Sequence, residues 1–545
     1  MKRFYCFLVA AILFCACSED WKNGKRLGEK PVLFPDYAQT TIPYNIAPLN
    51  FTVRADGCRV SVLLEAGVVK FKVEAPDGKV RIPEKKWKRL LQEAKDDSVR
   101  VTVARKKGDR WEIWQPVSLN VAADPVDPYL VYRLIEPGYA LWNKMGIYQR
   151  GMESFDETTV YENKMTDYNC VNCHSFCGHD PDKMLFHLRA KLAGTVLVDG
   201  DEVELLDTKT DKTISAFTYP YWHPSGRYIA FSINRTTQQL HSTQRTEVYD
   251  TASDVIVYDV ERHTFLSVPG LASQSSFDTF PSFSPDGKSL FYCTAPACLM
   301  PDSIGKLAYS LCCISFDPES GTFGSQVDTL FDARANGKSV SFPRVSPDGR
   351  FMLCTLSGYG TFPIWHKDAD LYMIDLKSGV GSYPETLNSN DTESYHSWSS
   401  NGRWVVFSSR RLDGLYTRPF IAYVGKDGKT GKPFLLPQKE ADYYAGLMKS
   451  YNIPEFVTGK VTNRSYQIRR LAEQGGISVS CSTFCFFYNK SFFLFAGYCH
   501  GLESGNWKKI DLFLGDAFIF RVSRFINGTK RQKYTVGSDY PEIQV

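Results

Sequence analysis

One pattern recurs along the chain and restricts its fold more than any other feature. The segments "FTYPYWHPSGRYIAFSIN", "DTFPSFSPDGKSLFYCTA", "VSFPRVSPDGRFMLCTLS" and "SYHSWSSNGRWVVFSSRR" carry turn glycines at Gly226, Gly287, Gly349 and Gly402. Self-similarity with a period of roughly 50 to 60 residues marks a repeat architecture. Each turn opens an aromatic and β-branched strand, as turn chemistry requires. A second signature follows several copies: "SDVIVYDVERH" and "ADLYMIDLKSG", with weaker forms in "LAYSLCCISFDPESG" and "RPFIAYVGKDGKTG". Four strands fit one period, and radial repetition of such sheets makes a β-propeller. The expectation is a mainly β chain with a propeller of five to seven blades over residues 194–460; "GTVLVDGDEVELLDTKTDKT" reads as the outer part of a further blade.

Upstream, residues 46–122 alternate apolar and polar positions in "RVSVLLEA", "VVKFKVEAP" and "SVRVTVARK". Period-two alternation predicts antiparallel strands, here a small β-sandwich-like domain. Residues 123–193 read as a connecting segment, with short helices and packed aromatics over 123–165. Residues 461–545 form an atypical tail, dense in aromatics and cysteine at "SVSCSTFCFFYNKSFFLFAGYCH" and without the repeat signature. It reads as a propeller closure, an added hairpin or a shifted frame, and no function is assigned to Cys481, Cys485 or Cys499.

The start of the chain gives the compartment. Met1-Lys2-Arg3 is followed by an uncharged apolar run from Phe4 to Ala16, too short for a spanning helix and suited to a secretory signal. "LFCAC" resembles a bacterial lipobox, with Phe14 a poor fit and Cys17 the lipidated residue. The acidic Ser18-Glu19-Asp20 looks like a surface-export signal of Gram-negative lipoproteins. The expectation is a signal peptide over 1–17, a tether over 18–45 and an outer-membrane lipoprotein on the periplasmic side or the cell surface. The lipid is then the sole membrane contact. Net charge is +4, with both signs mixed along the chain, which argues against a nucleic-acid partner. An oxidising compartment lets the twelve cysteines after Cys17 pair; Cys293 with Cys298, and Cys312 or Cys313 with Cys354, are candidate bridges.

Cys170-Val171-Asn172-Cys173-His174 occurs once. Two thiols three apart followed by histidine suit covalent attachment of haem c, the thiols adding across two vinyl groups and His174 ligating iron. Zinc is an alternative if Cys177 and His179 complete four ligands. A structural disulfide or unused thiols is another. A thioredoxin-like dithiol lacks the preceding βαβ unit. For a second axial ligand the nearby candidates are His179, Met184 and His187. Met184-Leu185-Phe186-His187 reads as a helix start, which places Met184 and His187 on one face.

The repeat resembles the TolB-like propeller family, whose hallmarks are a Ser-Pro-Asp-Gly turn before a strand and a later Asp-x-Tyr-x-x-Asp strand. The resemblance covers residues 195–440. Together with "IPYNIAPLNF", "DPYLVYRLIEPGY" and "NCVNCHSF", the chain resembles exported lipoproteins pairing such a propeller with one Cys-x-x-Cys-His, labelled cytochrome c-like or cytochrome c biosynthesis proteins. That label implies haem or redox association and no particular reaction. The chain is also loosely similar to respiratory enzymes that hold a second cofactor with propeller histidines; here His223, His241, His263, His366 and His396 are scattered.

Propellers bind ligands where loops converge at the channel mouth. "YGTFPIWHKDADLY" places Trp365 and His366 there, and "SSRRLDGLYTRPF" adds Arg410, Arg411, Asp413 and Arg418. Such a cluster suits a glycan or a protein partner; the competing reading is Arg–Asp pairing across blades. No catalytic residue is assigned: the chain lacks Gly-x-Ser-x-Gly, His-Glu-x-x-His and a phosphate-cradling glycine loop. The favoured function is electron transfer or redox sensing with a redox partner. The alternative is a non-enzymatic binding scaffold with structural cysteines or zinc, and a propeller hydrolase is a third.

Overall fold

The repeats and the segment before them build one ring of sheets. The structure, a computed structural model, describes residues 21–136, 144–210, 213–239, 245–268, 270–271, 273–481, 510–514 and 518–522. The expected signal segment with Cys17, the first residues of the expected tether, His241 and most of the chain beyond 481 lie outside the described residues. The chain divides into two compact units, Met1–Thr483 and Phe484–Val545. In the second, the described residues form one antiparallel pair, Ile510–Leu514 with Phe518–Val522.

In the first unit six sheets succeed one another, each built on four antiparallel strands, and two of them gain a short fifth strand in parallel, Ile477–Ser478 and Ser480–Cys481. Their innermost strands are β1 (Val171–Phe176), β2 (Phe217–Trp222), β3 (Ser276–Phe283), β4 (Ser339–Val345), β5 (Glu393–Trp398) and β6 (Ser450–Val457). Each touches the next, and β6 touches both β5 and β1, so the inner strands close a ring. This is a propeller-like arrangement. Sheet 1 is composite: Tyr129–Ile135, Met145–Gly151 and Glu157–Glu162 come from early in the chain, while β6 supplies the inner strand from its far end. Sheets 2 to 6 begin with β1 to β5 in chain order.

Residues 123–193 therefore differ from the expected helical connection. Tyr129–Ile135 lies between two partner strands, and "YLVYRLI" is apolar on both faces because neighbours cover both. Covered strands lose the alternation that marks a half-exposed one. The cysteine motif likewise lies on β1, in a sheet with Lys183–Leu188, Gly194–Asp199 and Glu202–Asp207.

The N-terminal part holds a seven-stranded and a three-stranded sheet with a helix, α1 (Glu84–Glu93), which the strand pattern did not show. Trp87, Leu90 and Leu91 are its buried residues, three and four apart as one helix face requires. The expected tether is also folded from residue 21 on. Lys25–Arg26 pairs with Arg110–Ile113, Thr41–Pro43 pairs with Val117–Ala122, and Trp21, Tyr37 and Ile42 are buried. This part shares a continuous apolar core with Trp398, Trp404 and Phe434 of sheet 6. Asn50 Nδ2 donates to the carbonyls of Gln438 and Lys439 at 3.2 and 2.9 Å, and Tyr423 donates to Asp124 at 2.8 Å. Among the described residues no helix is long and apolar enough to cross a membrane.

Candidate functional site

Each inner strand carries one residue at positive φ: Cys173, Tyr219, Phe280, Phe342, Tyr395 and Ile453, with φ between 44° and 52°. Each sits where the pairing register slips, as in a β-bulge. Such a conformation costs about 1–3 kcal/mol for a residue with a side chain, so its recurrence in all six strands makes it architectural. The next residue is Pro220, Pro281, Pro343 or Pro454 in four strands, and His174 or His396 in the other two. Proline suits a bulge because it has no N–H to give to the ladder.

The bulge residues face one another around the axis. Ring centroids lie 4.6 Å apart for Tyr219–Phe280, 4.1 Å for Phe280–Phe342 and 5.1 Å for Phe342–Tyr395. On β1 and β6, which are neighbours, the aromatic ring gives way to Cys173 and Ile453. The circle of aromatics is therefore incomplete beside the cysteine motif.

Around it lies a cavity of about 1400 Å³ lined from all six inner strands. Its charged lining residues are Arg133, Arg189, Arg245, Arg344 and Arg410, with Glu136 and Glu455. Arg245 bonds both oxygens of Asp391 at 2.7 and 2.8 Å. Arg410 stacks on Trp365 at 4.4 Å and donates to the carbonyls of Ile364 (2.8 Å) and Leu415. Burial, then the nearby Arg245 charge, pulls its pKa down to about 10. Burial also lowers Arg189, whose Nη2 donates to the Phe217 carbonyl at 2.6 Å. Arg344 lies over Tyr221 at 4.9 Å. Glu455 accepts from the Phe176 N–H at 3.2 Å, and burial pushes its carboxyl up to about 8, so it is largely neutral at pH 7.

Cys170, Cys173 and His174 all line this cavity. Burial raises the Cys170 thiol, outweighing the charges of Arg133 and Arg189. His174 is 2% exposed, and burial followed by the Arg133 charge, partly offset by the Ile453 backbone beside the ring, holds its pKa at about 3. Two thiols and a neutral imidazole thus share one wall, which fits the proximal half of a covalent haem site. The expected distal ligands do not join them. Lys183–Leu188 is a strand, so residues three apart point to opposite faces. Met184 packs with Val131 and Ile147 of sheet 1, whereas His187 lies against Phe231 of sheet 3 and its Nδ1 pairs with Thr195 Oγ1 at 2.8 Å. His179 lines the cavity with Nδ1 bound to the Phe456 carbonyl at 2.9 Å.

Among the described residues no three His, Cys, Asp or Glu side chains converge where a metal ion could sit. The four-ligand zinc set of Cys170, Cys173, Cys177 and His179 is therefore not assembled here. Cys177 is instead directed at the His223 carbonyl, 3.8 Å away. Cys293, Cys298, Cys312, Cys313 and Cys354 are free thiols, as are the cysteines of the motif.

Of the residues expected at the mouth, Trp365 and Arg410 line the cavity together. His366 turns to Glu247 at 3.2 Å and packs on Tyr359. Arg411 pairs with the fully buried Glu393 at 2.9 Å, and Arg418 with Asp413 at 3.5 Å. Asp413 also accepts from the Leu415 and Tyr416 N–H groups, both at 2.8 Å. Sequence reasoning missed Arg133, Arg189 and Arg344, along with the aromatic ring. Aligning "NCHSF" with "FTYPYW" and "VSFPRV" would have found the bulge, since Cys-His stands where those lines have aromatic-Pro.

Ring and cavity together define a mainly β, propeller-like protein with a cationic, aromatic-lined centre. No protein-family model and no curated protein matches the sequence. Solved structures with a similar course include a DUF4784 family protein from Bacteroides caccae, at 10% identity over 65% of this chain and 95% of that one, TM-score 0.27. Prolyl oligopeptidase B from Galerina marginata aligns at 9% identity over 62% of this chain and 42% of its own length, TM-score 0.31. Porphyromonas gingivalis dipeptidyl peptidase 4 aligns at 9% identity over 77% and 60%, TM-score 0.26. The chain thus spans less than half of the prolyl oligopeptidase B that it matches.

Proposed function

We propose that the chain is an exported six-bladed β-propeller of the TolB-like kind, held at the outer membrane through lipid on Cys17, and that it is a recognition module whose ligand enters the central cavity. The observation that carries this reading is the gap in the bulge ring: Cys173 and Ile453 leave open the centre that four aromatics close elsewhere. A glycan or the end of a protein segment suits the chemistry, since convergent polar groups and aromatic faces line the pocket. Thermal-shift screening with oligosaccharides, peptides and small acids tests it, with Cys173→Phe as the control. Phenylalanine already adopts this backbone conformation at Phe280 and Phe342, so the variant restores the ring. Ligands should stabilise the parent protein and fail to stabilise Cys173→Phe; equal stabilisation of both would refute the cavity as the site.

A second reading is favoured by one arrangement, the two thiols and the buried, neutral imidazole of His174 on a single wall. Bound there covalently, haem c would supply one-electron chemistry towards a redox partner. Cys170 and Cys173 would carry the thioether bonds and His174 the iron. Protein made with haem-loading machinery should then keep a Soret band through acid-acetone extraction and lose it in Cys170→Ser with Cys173→Ser. A colourless parent protein removes this reading.

A further inference from the structure

Three guanidiniums form an arc at the open side of the ring. Arg410, Arg133 and Arg189 belong to sheets 6, 1 and 2, which are consecutive around the axis. Arg189 and Arg410 stand at equivalent points, each directly after the second strand of its sheet. Their N–H groups donate to the carbonyls of Cys170 and Thr392 at 3.0 and 3.1 Å, at corresponding positions beside β1 and β5. Arg133 is opposite Asn452 of β6. Its Nη1 reaches only the Val171 carbonyl at 3.5 Å, and its Nε is buried without a partner. We propose that this arc binds an oxyanion, a carboxylate or phosphate group carried by the cavity's ligand. The proposal rests on the recognition reading above and names the chemistry of its guest.

Charge pairing separates these three arginines from others near the mouth, and Arg344, also without an ion pair among the described residues, lies across the cavity wall over Tyr221. Arg245, Arg411 and Arg418 each have a carboxylate partner, in Asp391, Glu393 and Asp413. Among the described residues Arg133, Arg189 and Arg410 have no ion pair. A guanidinium carries five N–H donors in a planar fork matched to carboxylate and phosphate, and these three spend theirs on backbone carbonyls. The carboxylates nearby are committed: Asp391 to Arg245, Asp413 to Arg418 and two backbone N–H groups, and Asp250 to Asn234 and Thr236 at 2.7 and 2.5 Å. Glu136 is a half-buried lining carboxylate, and Glu455 accepts from Phe176. Removing one partner of a desolvated charge pair is strongly unfavourable. An arc of uncompensated cations is retained where a ligand supplies the counter-charge. Asn234, Asn452 and Tyr416 line the same cavity and add neutral donors.

Titration calorimetry with pyrophosphate, with citrate and with uncharged maltose tests the assignment and separates phosphate from carboxylate. The expected result is binding of an oxyanion, none of maltose, and affinity about tenfold or more weaker in Arg133→Gln and in Arg189→Gln. Without ligand, Arg189→Gln should raise Tm above that of Arg189→Lys, because only the first removes the uncompensated charge. Neither oxyanion binding, or binding undiminished in both glutamine variants, overturns the proposal. Binding lost in Cys173→Phe yet kept in the arginine variants sinks the oxyanion site while leaving the cavity as the recognition site. Binding kept in Cys173→Phe sinks the cavity itself.

Discussion

His174 and His396 occupy the same place in two inner strands. Each follows a bulge residue at positive φ, Cys173 or Tyr395, and each stands where the other four strands have proline. His396 Nε2 lies 2.8 Å from the Leu353 carbonyl of the preceding sheet, and burial lowers both imidazoles to about 3. A histidine at this point is thus accommodated by the ring with tyrosine, not cysteine, before it. Architecture accounts for His174 in the motif; the small size of Cys173 and the presence of Cys170 call for a further reason.

His174→Pro therefore separates the two functional readings. Proline occupies the position in four strands, so the variant should unfold within a few degrees of the parent, as expected for a change below about 1 kcal/mol. Oxyanion binding should persist. In a haem protein the same change would remove the iron ligand and shift the absorption spectrum.

The repeat of Ser/Pro-Gly turns made the ring legible for sheets 3 to 6, where the glycines fall at φ 72°, 71°, 73° and 65°. Of sheet 2 only the outer strands, Gly194–Asp199 and Glu202–Asp207, were legible, and its inner half and sheet 1 were hidden for physical reasons. The turn after β1 reads "CGHDPD" in place of Ser-Pro-Asp-Gly, and sheet 1 is assembled from segments that lie far apart in sequence. Met184 and His187 were given a helical face because spacing alone cannot tell a three-residue helical step from two faces of a buried strand. Trp365 and Arg410 were found because the repeat puts their loops at the channel mouth. Arg133 and Arg189 were not, because each is a lone arginine until the ring closes.

Glu393 should be the most sensitive of the ion-paired residues near the mouth. Its side chain is fully buried and bonds Ser389 and Ser409 at 2.7 Å each and Arg411 at 2.9 Å. Glu393→Ala leaves Arg411 uncompensated in a desolvated setting, a loss of roughly 3–5 kcal/mol. Urea unfolding should show that decrease, while alanine at the exposed end of the Lys88–Glu153 pair changes stability by less than about 1 kcal/mol.

Buried acids give the protein an alkaline weakness. Burial, with the Asp278 charge second, raises Asp254 to about 7; burial raises Asp278 to about 6 and Glu455 to about 8. Carboxyls raised in the fold stabilise it fully below their unfolded values, near about 4, and lose that contribution as pH climbs from there through their folded values of about 6 to 8. His174 and His396 act in the opposite sense: their depressed values stabilise the fold above about pH 6.5, and the contribution is lost as pH falls towards 3. Three raised acids outweigh two depressed histidines above about pH 4.5, so thermal stability should decline from about pH 5 to about pH 8. Asp254→Asn should flatten the alkaline limb, by an amount on the order of a few kcal/mol, and leave the acid limb in place.

Ring closure depends on β6, the inner strand of sheet 1 supplied from the far end of the ring. It pairs with Tyr129–Ile135, and Tyr451, Phe456 and Val457 are fully buried. Each such side chain is worth about 1.5–3 kcal/mol on burial, and without β6 the strand Tyr129–Ile135 presents an unpaired edge at the centre of the ring, a site for aggregation. A chain ending at Lys449 should lose its cooperative unfolding transition and scatter light at concentrations where the parent is clear. A synthetic peptide spanning β6, added in excess, should restore the near-ultraviolet dichroism of the buried tyrosines, since the missing strand carries its own ladder and its own core residues. A truncated chain that still unfolds cooperatively at the parent's midpoint would show that five inner strands hold the ring without the sixth.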